Sequence, residues 1–304
     1  MQKQLENSQM PDQHGNEPNF DCEKCKDTGF ILEKRAITDD EGNVKKWPNG
    51  EDMVEDVAVM CECKRQKRLK IRFENALIPS EFKDATLKNY QRINDVQQTL
   101  YAATIDYLKN FETIITNRLD QNSLGFIAVF GEQRIRQLSG SDKSQAKRDH
   151  NSFGLGKTHL QIAAAKWLMK NAFVIDEKSG LKRECRVLCV SDATFMDDLA
   201  QAKAMNDEGA RFNELIHNAS TVDVLVWDDL GKAKWSETKE TLYYRIINER
   251  YRNQRPIIFS SNEDKGTLSE KIGYASASRL FGMTGDRLYE VEGPDYRLKK
   301  NKAV

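Results

Sequence analysis

Gly154-Leu155-Gly156-Lys157-Thr158 and, about seventy residues on, Val222-Asp223-Val224-Leu225-Val226-Trp227-Asp228-Asp229 decide the fold of this chain. The first stretch is the end of a phosphate-gripping loop. Its glycines let backbone N–H groups approach phosphate oxygens, Lys157 neutralises the β- and γ-phosphates, and Thr158 offers a hydroxyl to a metal. The second is a short apolar strand that delivers two adjacent carboxylates. Asp228, at the strand's end, holds the metal from the other side. The two stretches describe a site for a nucleoside triphosphate and its magnesium ion, with Gly154, Leu155, Gly156, Lys157, Thr158 and Asp228 as the binding set.

Outward from these anchors, helices and strands alternate. Val96 to Leu119 carries Leu100, Ile105, Leu108, Ile114 and Ile115, an amphipathic pattern of one helix or a pair. Gly125 to Phe130 is a short buried strand, Thr158 to Ala172 a helix, and Arg186 to Val190 a strand. Phe195 to Ile216 is mostly helix, and Val222 to Trp227 leads into Asp228. A helix bearing Leu242, Ile246 and Ile247 ends before Pro256, and Ile257 to Asn262 is a strand with a polar end. This alternation predicts a three-layer α/β/α fold on a parallel sheet, with ligands at the carboxyl ends of the strands.

The phosphate loop departs from the usual G-x-x-x-x-G-K-[ST]. The position six before Lys157 is Asn151, and the nearest upstream strand ends at Phe130-Gly131. The stretch between, Glu132 to His150, holds five basic and three acidic residues and no core pattern. It is an insertion that leaves the loop near Gly131 and returns at Asn151. Asp229 stands where many such ATPases carry a glutamate to orient the attacking water. One methylene shorter, it predicts weak or partner-dependent hydrolysis. Asn262 is suited to hydrogen-bond that water or the γ-phosphate.

The chain has 304 residues, 39% hydrophobic and 31% charged, enough for one large or two modest domains. Lys+Arg and Asp+Glu are both 47, so a nucleic-acid surface has to be local rather than a global field. No apolar run suits a membrane span or the core of a signal peptide, and cytosol is the natural expectation. Six cysteines, clustered, exclude a secreted disulfide scaffold.

Residues 1–20 are polar and are expected to be a disordered tail. Cys22-Glu23-Lys24-Cys25 and Cys61-Glu62-Cys63 then form a C-x2-C and C-x-C set with about thirty-five residues between the pairs. Two close pairs supply the four soft ligands that a closed structural zinc site needs, and metal binding can stand in for a missing core. Cys22, Cys25, Cys61 and Cys63 are the expected ligands, against the plainer reading of four free thiols. The expected organisation is a zinc domain over 21–75, ending in a basic helix, and an ATPase domain over 76–304 carrying the 132–150 insertion. Cys185 and Cys189 read as buried core thiols.

The order of motifs resembles the AAA+ helicase loaders of bacteria and their phages, the DnaC/DnaI group, with the transposition helper IstB as a cousin. The resemblance is carried by Gly154 to Leu160, Asp228-Asp229-Leu230-Gly231, Arg255 to Asn262, Ser278-Arg279-Leu280 and Gly293-Pro294-Asp295-Tyr296-Arg297, with Ile78 to Leu87 upstream. It covers about residues 20–300 and implies an AAA+ P-loop NTPase fold. It also implies that Asp228 coordinates magnesium, Asp229 orients water and Asn262 is the sensor-I residue. Arg279 would reach the γ-phosphate of a neighbouring subunit, and Arg297 would be the sensor-II arginine. The physics fits, because a guanidinium keeps its charge and can neutralise charge growing on the transferred phosphoryl.

By the same resemblance the cysteine region docks on a DnaB-type hexameric replicative helicase, and ATP-bound subunits assemble into an oligomer on single-stranded DNA. Basic candidates for that strand are Lys64 to Arg72, the insertion's Arg134, Arg136, Lys143, Lys147 and Arg148, and Lys203 with Arg211. A charge run of this kind is usually a solvated face, so the strand contact rests on the resemblance more than on these residues. The expected role is an ATP-dependent helicase loader. A transposition ATPase and a nucleotide-gated adaptor that does not hydrolyse are the competing readings.

Overall fold

The computed structural model describes residues 20–176, 179–205 and 207–295. The tail expected over residues 1–20 lies, apart from Phe20, outside them. The chain divides into two compact units, one up to Lys70 and one from Ile71 on.

The first unit is a long hairpin followed by a helix. β1 (Phe30–Ala36) pairs antiparallel with β2 (Val54–Met60), and α1 (Glu62–Asn75) follows at once. Among its described residues only Cys25, Gly29 and Cys61 are buried. A hairpin without an apolar core is marginal in water, and two of the three buried residues of this unit are cysteines.

The second unit contains α2 (Asp95–Thr116), β3 (Leu124–Ala128), α3 (Glu132–Gln137), α4 (Gly140–Asp149) and α5 (Lys157–Asn171). A small hairpin of β4 (Phe173–Ile175) and β5 (Lys182–Glu184) follows, then β6 (Val187–Ser191), α6 (Asp192–Ala204) and α7 (Ala210–Thr221). The remainder is β7 (Val224–Asp228), α8 (Glu237–Arg252), β8 (Ile257–Ser260), α9 (Lys265–Ile272), α10 (Tyr274–Thr284) and β9 (Leu288–Val291). Five strands form one sheet in the order β6-β7-β8-β3-β9, all parallel. This is the AAA+ P-loop fold, with helices flanking the sheet. The parallel arrangement explains why β3 and β8 are buried at every position and show no alternation.

Two polar side chains pin the core. Arg250 is fully buried, and its guanidinium donates to the carbonyls of Ala219 (2.8 Å), Val222 (3.0 Å), Asp223 (3.2 Å) and Pro256 (2.6 Å). It thereby ties the end of α7 to the entries of β7 and β8. Asp192, also fully buried, accepts from Trp227 Nε1 (3.0 Å), the Tyr243 hydroxyl (2.8 Å) and the Ala233 N–H (2.8 Å).

The structure departs from the sequence-based expectations in two places. The 132–150 insertion, read as having no core pattern, forms α3 and α4 and buries Ile135. Its helices are too short and too charged to show a periodic apolar face. The helix expected from Phe195 to Ile216 is two, and α7 begins after Gly209 in the left-handed conformation (φ 76°).

Burial pushes the Asp192 carboxyl up to about 6. The folded chain therefore keeps a proton that the unfolded chain releases, so stability from this group is full below the unfolded value and is lost as pH rises through about 6. Urea unfolding of wild type and Asp192→Asn checks this: between about pH 4 and pH 7 the wild type should lose about 2 kcal/mol relative to the variant, whose amide cannot titrate.

Candidate active site

The phosphate loop lies between α4 and α5, at the carboxyl end of the sheet. Gly156 (φ 84°) opens α5 without a side-chain cap, which leaves the first N–H groups of the helix free for an anion. The left-handed φ is one reason for glycine here. The other is crowding: a Cβ would lie 2.7 Å from the ring of Tyr90, whose hydroxyl donates to the Leu155 carbonyl (3.0 Å). Gly154 (φ 65°) is equally constrained, since a Cβ there would fall 1.7 Å from Asp295 Oδ1.

Asn151 proves to be a lock rather than a defect of the loop. Its amide donates to the carbonyls of Phe153 (2.9 Å) and Gly293 (2.6 Å), and the Gly293 N–H returns a bond to the Asn151 carbonyl (2.7 Å). A glycine could not make the side-chain part of this cross-link between the loop and the residues after β9.

Lys157 is buried and donates to the carbonyls of Ser152 (2.9 Å) and Ser261 (3.3 Å) and to Asn262 Oδ1 (2.7 Å). Asn262 in turn donates to Asp229 Oδ1 (2.7 Å). The Thr158 hydroxyl donates to Asp228 (2.9 Å), as does that of Ser260 (2.7 Å). Burial, and then the charge of Asp229, raise the Asp228 carboxyl above the usual carboxylate range, while those two hydroxyls hold it back. Asp229 has a left-handed backbone (φ 51°), an uncommon conformation outside glycine that aspartate tolerates and that concentrates at functional sites. A cavity of about 410 Å³ is lined by Ser152 to His159, Asp229 and Asn262 on one side and by Phe82, Asn89, Tyr90 and Gln97 on the other. Loop, lysine, threonine, paired carboxylates and asparagine therefore meet at one place.

Arg279 does not join them. Arg279 lies on α10 and is not among the residues lining that cavity. Its guanidinium stacks over Tyr244 (5.2 Å) and Tyr251 (5.9 Å) and donates to the Ala275 carbonyl (2.9 Å). Arg297 lies outside the described residues.

In the first unit the four sulfurs of Cys22, Cys25, Cys61 and Cys63 all lie within 4.8 Å of one another. Cys22 and Cys61 are 3.8 Å apart, and Cys25 and Cys63 are 3.4 Å apart. A tetrahedral Zn–S4 centre with bonds of about 2.3 Å sets its sulfurs about 3.8 Å apart, so the cluster has the size of a single metal site.

Sequence reading missed several members of the nucleotide site. Ser260 was visible only as the polar end of a strand. Gln161, with its amide turned to suit its neighbours, donates to Asp228 (2.7 Å) and sits mid-helix without any motif. Tyr90 precedes α2 in a segment with no pattern of its own.

Comparison with known proteins gives a consistent picture. The family of the bacterial DnaA ATPase domain matches residues 128–279. The chain is 24% identical over 286 residues to the phage-like element PBSX protein XkdC of Bacillus subtilis, covering 92% of this chain and 85% of that protein. It is 26% identical over 154 residues to the chromosomal replication initiator protein DnaA of Caldanaerobacter subterraneus, covering 49% of this chain and 30% of that one. A crystal structure of the DnaC helicase loader aligns with a TM-score of 0.48 at 20% identity, over 67% of this chain and 96% of that one.

Removing the Lys157 ammonium should cost about 3 kcal/mol of nucleotide affinity, about a hundredfold. Titration of Lys157→Ala with a fluorescent ATP analogue checks this, with circular dichroism confirming an intact fold. Unchanged affinity would mean that the loop is not the phosphate site.

Proposed function

The chain belongs to the bacterial DnaA ATPase domain family, and from that premise we propose that it is an ATP-dependent loader of a DnaB-type replicative helicase onto single-stranded DNA. The observation that carries the ATP-dependent part is the continuous chain of contacts Lys157–Asn262–Asp229 beside Thr158–Asp228. It gathers a phosphate-neutralising cation, a metal-binding pair and a water-orienting carboxylate around one cavity. Likeness to a chromosomal replication initiator protein over about half of this chain supports a replication setting.

The residues take the following parts. The N–H groups of Gly154 to Thr158 cradle the phosphates, with Lys157 swinging from its three oxygens to the β- and γ-phosphates. The hard oxygens of Thr158 and Asp228 suit magnesium, which supplies neutralisation of the phosphate charge when bound. Asp229 orients the attacking water, and Asn262 reports whether the γ-phosphate is present, because its amide already touches both Lys157 and Asp229. Water displaces ADP from the γ-phosphorus, giving ADP and inorganic phosphate. Arg279, stacked over two tyrosines away from its own cavity, serves the site of a neighbouring subunit, and Arg297 is the sensor-II arginine. A site completed by a neighbour makes the active form an oligomer, and hydrolysis by the isolated chain weak.

Cys22, Cys25, Cys61 and Cys63 hold one structural zinc, with no open position for catalysis. The unit they organise docks on the helicase. Exposed Phe30, Leu32 and Trp47 on its hairpin supply the apolar contacts such docking needs.

ATP turnover should be slow for the chain alone and rise with single-stranded DNA and the helicase together. Arg279→Ala should remove about a thousandfold of the stimulated rate without changing ATP affinity. Bound ATP with no turnover under any condition would favour a nucleotide-gated adaptor instead. Elemental analysis should find one zinc per chain, and Cys25→Ser with Cys61→Ser should lose it and unfold the first unit while leaving ATP binding intact.

A further inference from the structure

The insertion that interrupts the phosphate loop builds a second concavity, separate from the nucleotide cavity. Arg136, Lys143, Lys147 and His150 wall a groove of about 510 Å³, and Asn151 and Phe153 form its inner end. Its charge is not balanced. Glu132 is shared between Arg136 and Lys232. Lys143 donates to the Arg136 carbonyl (3.0 Å), a neutral acceptor, and Lys147 has no ion-pair partner among the described residues. His150 bonds to Glu292 (2.9 Å).

The spacing is as informative as the sign. Lys143 and Lys147 stand one helical turn apart on α4, about 6 Å along its axis. That is of the order of the distance between consecutive phosphates of an extended strand. Phe153 adds a half-buried aromatic ring with Lys232 Nζ over it (5.8 Å from the centroid), a cation-flanked platform for a base. The groove is also held firmly. Gly131 N–H donates to Asp264 (3.0 Å), Gln133 N–H to Glu263 (2.9 Å), and Arg134 pairs with Asp264 (2.9 Å). Arg134, a candidate strand contact from sequence, is thus an anchor of α3.

We propose that this groove holds the sugar–phosphate backbone of single-stranded nucleic acid, with Lys143 and Lys147 on consecutive phosphates and Phe153 against a base. The partner rests on the loader reading; the site does not come from it. Phe153 lines the groove and the nucleotide cavity alike, and Glu132 N–H donates to the Asn262 carbonyl (2.9 Å). A strand in the groove therefore touches the same short segment that grips ATP, so strand and nucleotide should each strengthen the other's binding.

The test is fluorescence anisotropy of a labelled oligothymidylate with the full chain over a range of salt. Lys143→Glu with Lys147→Glu should weaken binding about tenfold or more and lower the log–log salt slope by about 1.4, at about 0.7 for each lost phosphate contact. Lys143→Arg with Lys147→Arg should bind as wild type, and ATP affinity should stay unchanged in both variants. Strand binding by the double glutamate variant equal to wild type overturns the proposal, as does a wild type that binds no strand. Equal binding of an acidic phosphopeptide with the same lysine dependence overturns it too. Association with the helicase, measured in parallel, reads the loader proposal separately: its absence in the wild type removes that reading and leaves a lysine-dependent strand groove standing.

Discussion

The buried ammonium of Lys157 sets the terms for everything around it. A charge taken out of water is expensive unless it is met by oxygens, and here the oxygens come from three places: Ser152 on the loop, and Ser261 and Asn262 just past β8. Satisfying one cation thus draws the loop onto the sheet. Asn262 then passes the constraint on, because the amide that accepts from Lys157 must present its other end to a donor's partner, and Asp229 is that partner. The left-handed turn at Asp229 is the backbone adjustment that brings its carboxylate there.

This dependence explains what could be read in advance. The loop, the carboxylate pair and the four cysteines were legible because their chemistry demands fixed residue types at short spacing. The sheet was legible where strands are buried on both faces and read as apolar runs. β9 was not: its four residues, Leu288–Val291, include a partly exposed Leu-Tyr-Glu and resemble a loop. Asn151 looked like a lost glycine because its function is a contact with Gly293, more than a hundred residues away. Ser260 and Gln161 were silent for the same reason, since a single hydroxyl or amide has meaning only once the fold brings Asp228 beside it. Arg250 is a starker case. An arginine followed by Tyr-Arg in a polar helix reads as surface, yet it is fully buried against four carbonyls.

The two units reach stability by different means. From Ile71 on, a parallel sheet between helices buries a large continuous core, and buried polar groups are tolerated because oxygens or donors meet them: three donors reach Asp192, and four carbonyls reach the terminal nitrogens of Arg250. Up to Lys70 there is almost nothing to bury, and four sulfurs take the place of a core. A cluster of thiols therefore stands at the centre of one unit, and an apolar sheet at the centre of the other.

The cross-link between Asn151 and Gly293 has a consequence for how the chain comes to be folded. The inner neighbour of β3, β8, is already complete when residue 260 has been made, but its outer neighbour β9 and the lock on the loop come from residues 288–293. During synthesis the phosphate loop is thus made early and secured late. At about 5–20 residues per second, the wait between residue 151 and residue 293 is of the order of ten seconds. Throughout it, the loop has its glycines and its lysine but not its clamp. Only when residues 288–293 have been made can the clamp on the loop and the outer edge of the sheet form, and they then form together.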